Sequence, residues 1–254
     1  MMIRSSANDH SPAGLPDRRP DFPTTQWTLV TRVQQSGAVR QAALEELCRL
    51  YWYPIYAFLR RRGYPQHDAE DFTQGFFIKL LAEESLSAVD GSKGRLRTYL
   101  LHHLKRHLTD QKRFSGALKR GGGVNTISFE EMRAEERYAH EPQDERDPER
   151  LFTRAWANEL LASVREKLRA DFEAAKRPHA FEVLLPFLLL DDDPPSYREV
   201  AAQLRATEVS VRLMVSRLRA KFRNLLREEV ARTAITPEDV SGEWESLKSV
   251  LTAA

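Results

Sequence analysis

A chain of 254 residues with 41% hydrophobic content can fill two modest cores, which excludes a wholly disordered protein. Its 39 Lys and Arg against 37 Asp and Glu leave a formal charge of only +2, so affinity for nucleic acid must come from charge gathered in particular segments. A single cysteine, Cys48, excludes an internal disulfide, argues against a thiolate zinc site and suits a reducing cytoplasm; no apolar run approaches the roughly 20 residues of a membrane span.

Residues 1–23 are rich in proline, serine and charge, lack the apolar centre of a signal peptide and read as a disordered lead. A helical pattern opens at the Thr24-Thr25 cap and continues through Leu44, Leu47, Leu50, Tyr51, Ile55, Phe58 and Leu59. Pro54 is expected to kink it, and Gly63 and Pro65 end it. The next helix, HDAEDFTQGFFIKLLAEE, carries acids in its first turn, where the helix dipole favours them. Phe72, Phe76 and Phe77 recur at helical spacing and read as core, leaving one side of this helix for a partner. A loop, SLSAVDGSKGR, follows.

Between Arg95 and Arg120 the bases Arg95, Arg97, Lys105, Arg106, Lys112, Arg113, Lys119 and Arg120 face one acid, Asp110. Most lie on a basic, aromatic helix, LRTYLLHHLKRHLTDQKRF. His103, His107 and Asp110 have a spacing that places three metal ligands on one face. Against a metal site stand Lys105 and Arg106 on the same helix and the missing Glu of an HExxH motif. No phosphate loop, Gly-x-Ser-x-Gly or Gly-x-Gly-x-x-Gly occurs, so the sequence gives no catalytic residue, cofactor or metal. Gly116 and Gly121–Gly123 mark a boundary, and the acidic, proline-containing stretch to Arg150 reads as a flexible linker, with a solvated spacer as its default role.

Helical patterns resume with LFTRAWANELLASVREKLRADFE and FEVLLPFLLL; strand signals are weak throughout. Ser196 and Glu199 then form a Ser-x-x-Glu capping box before a short helix with Val200, Ala201 and Leu204 on one face. Thr207 caps a second helix across a turn that lacks the common glycine. In that helix Val211, Val215, Leu218, Phe222 and Leu225 face inward, leaving Ser210, Arg212, Ser216, Arg217, Arg219 and Arg223 on other faces. Cap, short turn and basic second helix together make a helix-turn-helix, with Arg212 and Arg217 as candidates for base or phosphate contact. Arg219, Lys221 and Arg223 lie where backbone contact or plain solvation is expected. The tail ends in an amphipathic pattern of Glu238, Asp239, Val240, Trp244, Leu247 and Val250.

Over residues 24 to 235 the chain resembles a group 4, extracytoplasmic-function (ECF) sigma factor of bacterial RNA polymerase. In that family an Asp-x-x-Asp-x-x-Gln helix docks on the clamp of the largest polymerase subunit, and Asp68, Asp71, Gln74 and Phe77 stand at matching places, with Gly75 where glutamate is usual. The basic helix resembles the promoter-melting segment, so the resemblance implies minus-ten contacts from Tyr99, Lys105, Arg106, Lys112 and Arg113. Tyr99 replaces the usual tryptophan and the customary asparagine is missing. The loop from Leu86 to Gly94 lies where the family captures a flipped base. Ser210, Arg212, Ser216, Arg217 and Arg219 match the helix that reads the upstream minus-thirty-five element. The TTQWTL opening and the tail look like a planctomycete sub-branch.

The expected fold is all-α: a region 2-like domain at 24–114, a linker at 115–150, a region 4-like domain at 151–235 and a helical tail at 236–254. The function implied is promoter-specific initiation with core polymerase (clamp and flap) and promoter DNA as partners, with an anti-sigma protein or the tail as control. A stand-alone helix-turn-helix regulator is the alternative. It explains Arg212 and Arg217 but not the Asp68-Asp71-Gln74 face.

Overall fold

A computed structural model describes residues 28–33, 35–82, 95–114, 129–141, 147–188, 194–234 and 236–251. The lead at 1–23, the Thr24-Thr25 cap, the Leu86–Gly94 loop and the Gly121–Gly123 run lie outside them. Every regular element among the described residues is helical, as the sequence implies: α1 (Thr28–Val33), α2 (Gly37–Arg61), α3 (Gln66–Ala82), α4 (Leu96–Phe114), α5 (Phe129–Ala139), α6 (Pro148–Ala174), α7 (Pro178–Leu184), α8 (Tyr197–Gln203), α9 (Glu208–Arg232) and α10 (Pro237–Leu251). A 3-10 turn, Leu185–Phe187, follows α7 and takes up Pro186.

The helix α2 runs on across Pro54, which is buried within it. Leu47, Leu50, Tyr51, Ile55, Tyr56, Phe58 and Leu59 are each at most 2% exposed. Gly63, at φ 88°, turns the chain back towards α3 in a conformation that side chains with a Cβ rarely adopt. The apolar stripe of α6, from Leu151 through Trp156 to Val164, packs along α2, with Phe58 and Phe152 edge to face at 6.5 Å. Helices α1 to α5, the first part of α6, the end of α9 and α10 share this main core.

A second cluster gathers Leu168, Phe181, Leu184, Phe187, Val200, Val211, Val215 and Leu218. It joins the end of α6 to α7, α8 and the start of α9. With 27 and 25 residues, α6 and α9 are each roughly 40 Å long, so they pass from one cluster to the other.

Part of the stretch read as a solvated linker is ordered, because its acids have partners. Arg60 meets Glu135 through two nitrogens at 2.9 and 2.6 Å, and the Tyr56 hydroxyl donates to the same carboxylate. Tyr53 donates to Glu141 at 2.8 Å, and Arg154 pairs with Glu141 from α6. Burial pushes the Glu135 carboxyl up, but the hydrogen bonds from Arg60 and Tyr56 outweigh it and hold it below the ordinary glutamate value. Thus α5 is clamped to α2 by charge-assisted hydrogen bonds.

The tail is folded too. Thr236 and Asp239 cap α10 reciprocally, and Val240, Leu247 and Val250 enter the main core. Glu243, fully buried, accepts from Arg97 of α4 at 2.7 Å. Arg97 also donates to Thr153 at 2.8 Å and lies 5.0 Å over the Trp156 ring. Beside Glu243, Gly242 leaves room for the end of the Arg95 side chain, which a Cβ there would meet.

Candidate nucleic-acid interface

Local hydrogen bonds fix both ends of α8 and the start of α9 in the helix-turn-helix. Glu199 N–H donates to the Ser196 hydroxyl at 3.2 Å, and Ser196 N–H donates to the Glu199 carboxylate at 2.9 Å, closing the capping box of α8. The Ser196 hydroxyl also holds the Glu199 carboxyl below its ordinary value. At the other end Ala206 N–H reaches Ala201 O at 2.9 Å and Arg205 N–H reaches Ala202 O at 3.3 Å, a Schellman ending. Arg205, at φ 50°, takes the left-handed position where glycine is usual. Thr207 then accepts from Ser210 N–H at 3.2 Å and starts α9.

Val211, Val215 and Leu218 bury one stripe of α9, and Arg212, Ser216 and Arg217 are exposed on the rest. The Arg212 guanidinium lies 4.5 Å over the Tyr197 ring, which stacks on Phe187 at 5.1 Å. This cation–π contact pre-orients Arg212 at little entropic cost. Ser210 is half-buried beside the Thr207 hydroxyl at 2.9 Å. Arg219 donates to Phe187 O at 3.1 Å and Lys221 pairs with Asp171 at 2.7 Å, so both also tie α9 to its own cluster.

Along α4 the candidate residues are more engaged. Tyr99 is half-buried against the main core, its ring 4.1 Å from that of His103. Lys105 pairs with Glu149 in the first turn of α6, while Arg106 is exposed. Lys112 and Arg113 continue the helix, and their side chains fall outside the described residues. His107 is buried with its ring edge-on to Phe76 at 6.2 Å. No three His, Cys, Asp or Glu side chains among the described residues converge to hold a metal ion.

On α3, Asp68, Asp71 and Gln74 are exposed, Asp71 lying 3.1 Å from His67. Phe77 is 5% exposed in the main core, which corrects its grouping with the partner-facing residues. The reason is helical phase: Phe76, Phe77 and Leu80 turn inward together. Ile78, 61% exposed and one turn beyond Gln74, stands on the outer face instead. Sequence reading missed Ile78, and likewise Val209, which is 76% exposed on α9. Only the phase of each buried stripe separates such side chains from core ones.

No protein-family model and no solved structure gives a significant match to the chain. Among curated proteins it is similar to the ECF RNA polymerase sigma factor SigE of Mycolicibacterium smegmatis, with 26% identity over 197 residues. The similarity is to a sigma factor. It covers 76% of this chain and 66% of that protein, just under two thirds of the relative's length. At this distance it supports the ECF sigma family and reaches no sub-branch within it. No described helix is long and apolar enough to cross a membrane.

Proposed function

We propose that this chain is a sigma factor that binds core RNA polymerase and directs promoter-specific initiation, acting in the cytoplasm. The reading is carried by one combination: the exposed acid-and-amide face of α3 and the capped helix-turn-helix presenting Arg212, Ser216 and Arg217. A DNA-binding regulator has use for the second alone.

In physical terms α9 enters the major groove of the upstream duplex, with phosphates held by its arginines. Helix α4 then meets the minus-ten region, where Lys105, Arg106, Lys112 and Arg113 hold the backbone of the separated strand and Tyr99 serves as a wedge or stacking platform. Unstacking costs a few kcal/mol per base, so melted DNA stays open only if such contacts offset that cost. Asp68, Asp71 and Gln74 dock on the polymerase clamp. The planctomycete-like assignment rests on the TTQWTL opening and the tail.

Binding to core polymerase tests this directly, comparing wild type with Asp71→Ala and Gln74→Ala. Tight binding that both variants weaken, together with transcription from a promoter library, is the expected result. Absence of core binding, with unaided binding to an operator, would replace the reading with a stand-alone regulator.

A further inference from the structure

The face of α9 opposite its buried stripe is not purely polar. Val209 is 76% exposed and Leu213 50%, two of the large hydrophobic side chains that stand in solvent among the described residues. They are four residues apart and therefore share one face. Arg212 flanks that face on one side and Arg217 on the other, and Ser216 lies between. From Glu208 to Leu226 the only acid is Glu208, against Arg212, Arg217, Arg219, Lys221 and Arg223. An apolar pair ringed by cations suits a surface that is anionic at its edges and apolar at its centre.

A major groove fits that description at thymine, whose C5 methyl projects between the two phosphate backbones. Aliphatic side chains there gain by excluding water from the methyl, and they discriminate against cytosine, which lacks it. Building on the sigma-factor reading, we infer that Val209 and Leu213 are specificity-determining residues that read thymine methyl groups in the upstream promoter element. The arginines position the helix, and the aliphatic pair selects the base.

The test uses the full chain bound to core polymerase. An upstream element is first selected from a random duplex library, and each thymine in it is then replaced by deoxyuridine, which removes the methyl and leaves every hydrogen-bonding group. Each methyl in contact is expected to be worth about fourfold in affinity, the weight of one buried methyl-sized group. Val209→Ala and Leu213→Ala should bind the thymine duplex more weakly and lose the difference between thymine and deoxyuridine. Both sites are exposed and alanine favours helix, so folding and core binding are expected to persist.

A selected element without thymine on either strand would overturn the inference. So would equal binding of thymine and deoxyuridine duplexes by the wild type, and sequence-selective binding would then still uphold the sigma reading. Loss of core binding in either alanine variant, with no thymine preference in the wild type, would assign the pair to the polymerase and overturn it as well. No selective binding at all would overturn the sigma reading together with it.

Discussion

The outer face of α9 and the basic helix α4 carry the same kind of charge but hold it differently. On α9, Arg217 and Ser216 stand in solvent and Arg212 rests on an aromatic ring, a contact that orients the guanidinium without neutralising it. On α4, Lys105 faces Glu149 and Arg97 is sealed against Glu243, so two of its cations are met by acids of the same chain. The arginines on the outer face of α9 are presented to solvent, whereas on α4 Arg106 is exposed but Lys105 would have to leave Glu149 to meet a phosphate. Under the proposed sigma-factor reading, in which a duplex is located before its strands separate, that order is the useful one.

The contrast breaks most visibly at Glu243. Replacing it with Ala leaves Arg97, 11% exposed, without its buried partner, and the loss of stability should be about 3–5 kcal/mol in urea denaturation. The double variant Arg97→Met with Glu243→Leu should recover much of it, because an apolar pair of similar volume needs no compensation. If α10 also restrains α4, deleting residues 236–254 together with Arg97→Met, which leaves no buried charge behind, should raise run-off transcription per mole of folded protein; unchanged output would leave α10 a purely structural cover.

A smaller effect is expected at the clamp between α2 and α5. Tyr56→Phe removes a hydrogen bond to a charged carboxylate, worth about 2 kcal/mol. The Glu135 carboxyl is held below its ordinary value, so its contribution is complete above the unfolded-state pKa and is lost as pH falls through the folded one. Wild type and variant should therefore differ most near neutrality and converge in acid. Carboxyl NMR should show the Glu135 midpoint rising in the variant; an unmoved midpoint would remove Tyr56 as a cause of the shift.

How much of this was legible in the sequence follows from the kind of signal. Helices with caps and long apolar stripes were readable: Ser196 with Glu199, Thr207 ahead of α9, and Val240, Leu247 and Val250 of α10 fall where spacing put them. The acids were not. Glu135, Glu141 and Glu243 look in sequence like solvated charge, and only their partners Arg60, Arg154 and Arg97, 75, 13 and 146 residues away in the chain, make them structural. For the same reason α6 was read as the start of the C-terminal half, although its first four turns lie along α2: periodicity gives the stripe but not what covers it. In the candidate site, Arg212 and Arg217 were legible as basic residues off the apolar stripe, whereas Ile78 and Val209 carry no sequence mark that separates an exposed aliphatic from a buried one.

Arg205 sharpens the comparison from the α9 side with an effect of about 1 kcal/mol. Its φ of 50° disfavours any residue with a Cβ, so Arg205→Gly relieves strain in the turn that sets α8 against α9. The gain is partly offset by the greater freedom of glycine in the unfolded chain. A rise in the denaturation midpoint, with unchanged affinity for the selected upstream duplex, is expected; lower affinity would give Arg205 a part in DNA contact.

The smallest effect in stability is expected where α4 meets α6. Lys105 and Glu149 are 40% and 55% exposed, so Glu149→Gln should change stability by less than about 1 kcal/mol. Its consequence for DNA should be larger in kind. With the carboxylate gone, Lys105 no longer has to leave an acid before meeting a phosphate, and the complex with polymerase should bind single-stranded minus-ten DNA more tightly at low salt. Lys105→Gln should instead reduce the salt slope by about 0.7, the signature of one lost phosphate contact on a single strand. If neither variant changes binding or its salt dependence, Lys105 is a structural partner of α6 and the engaged surface of α4 begins beyond it, at Arg106.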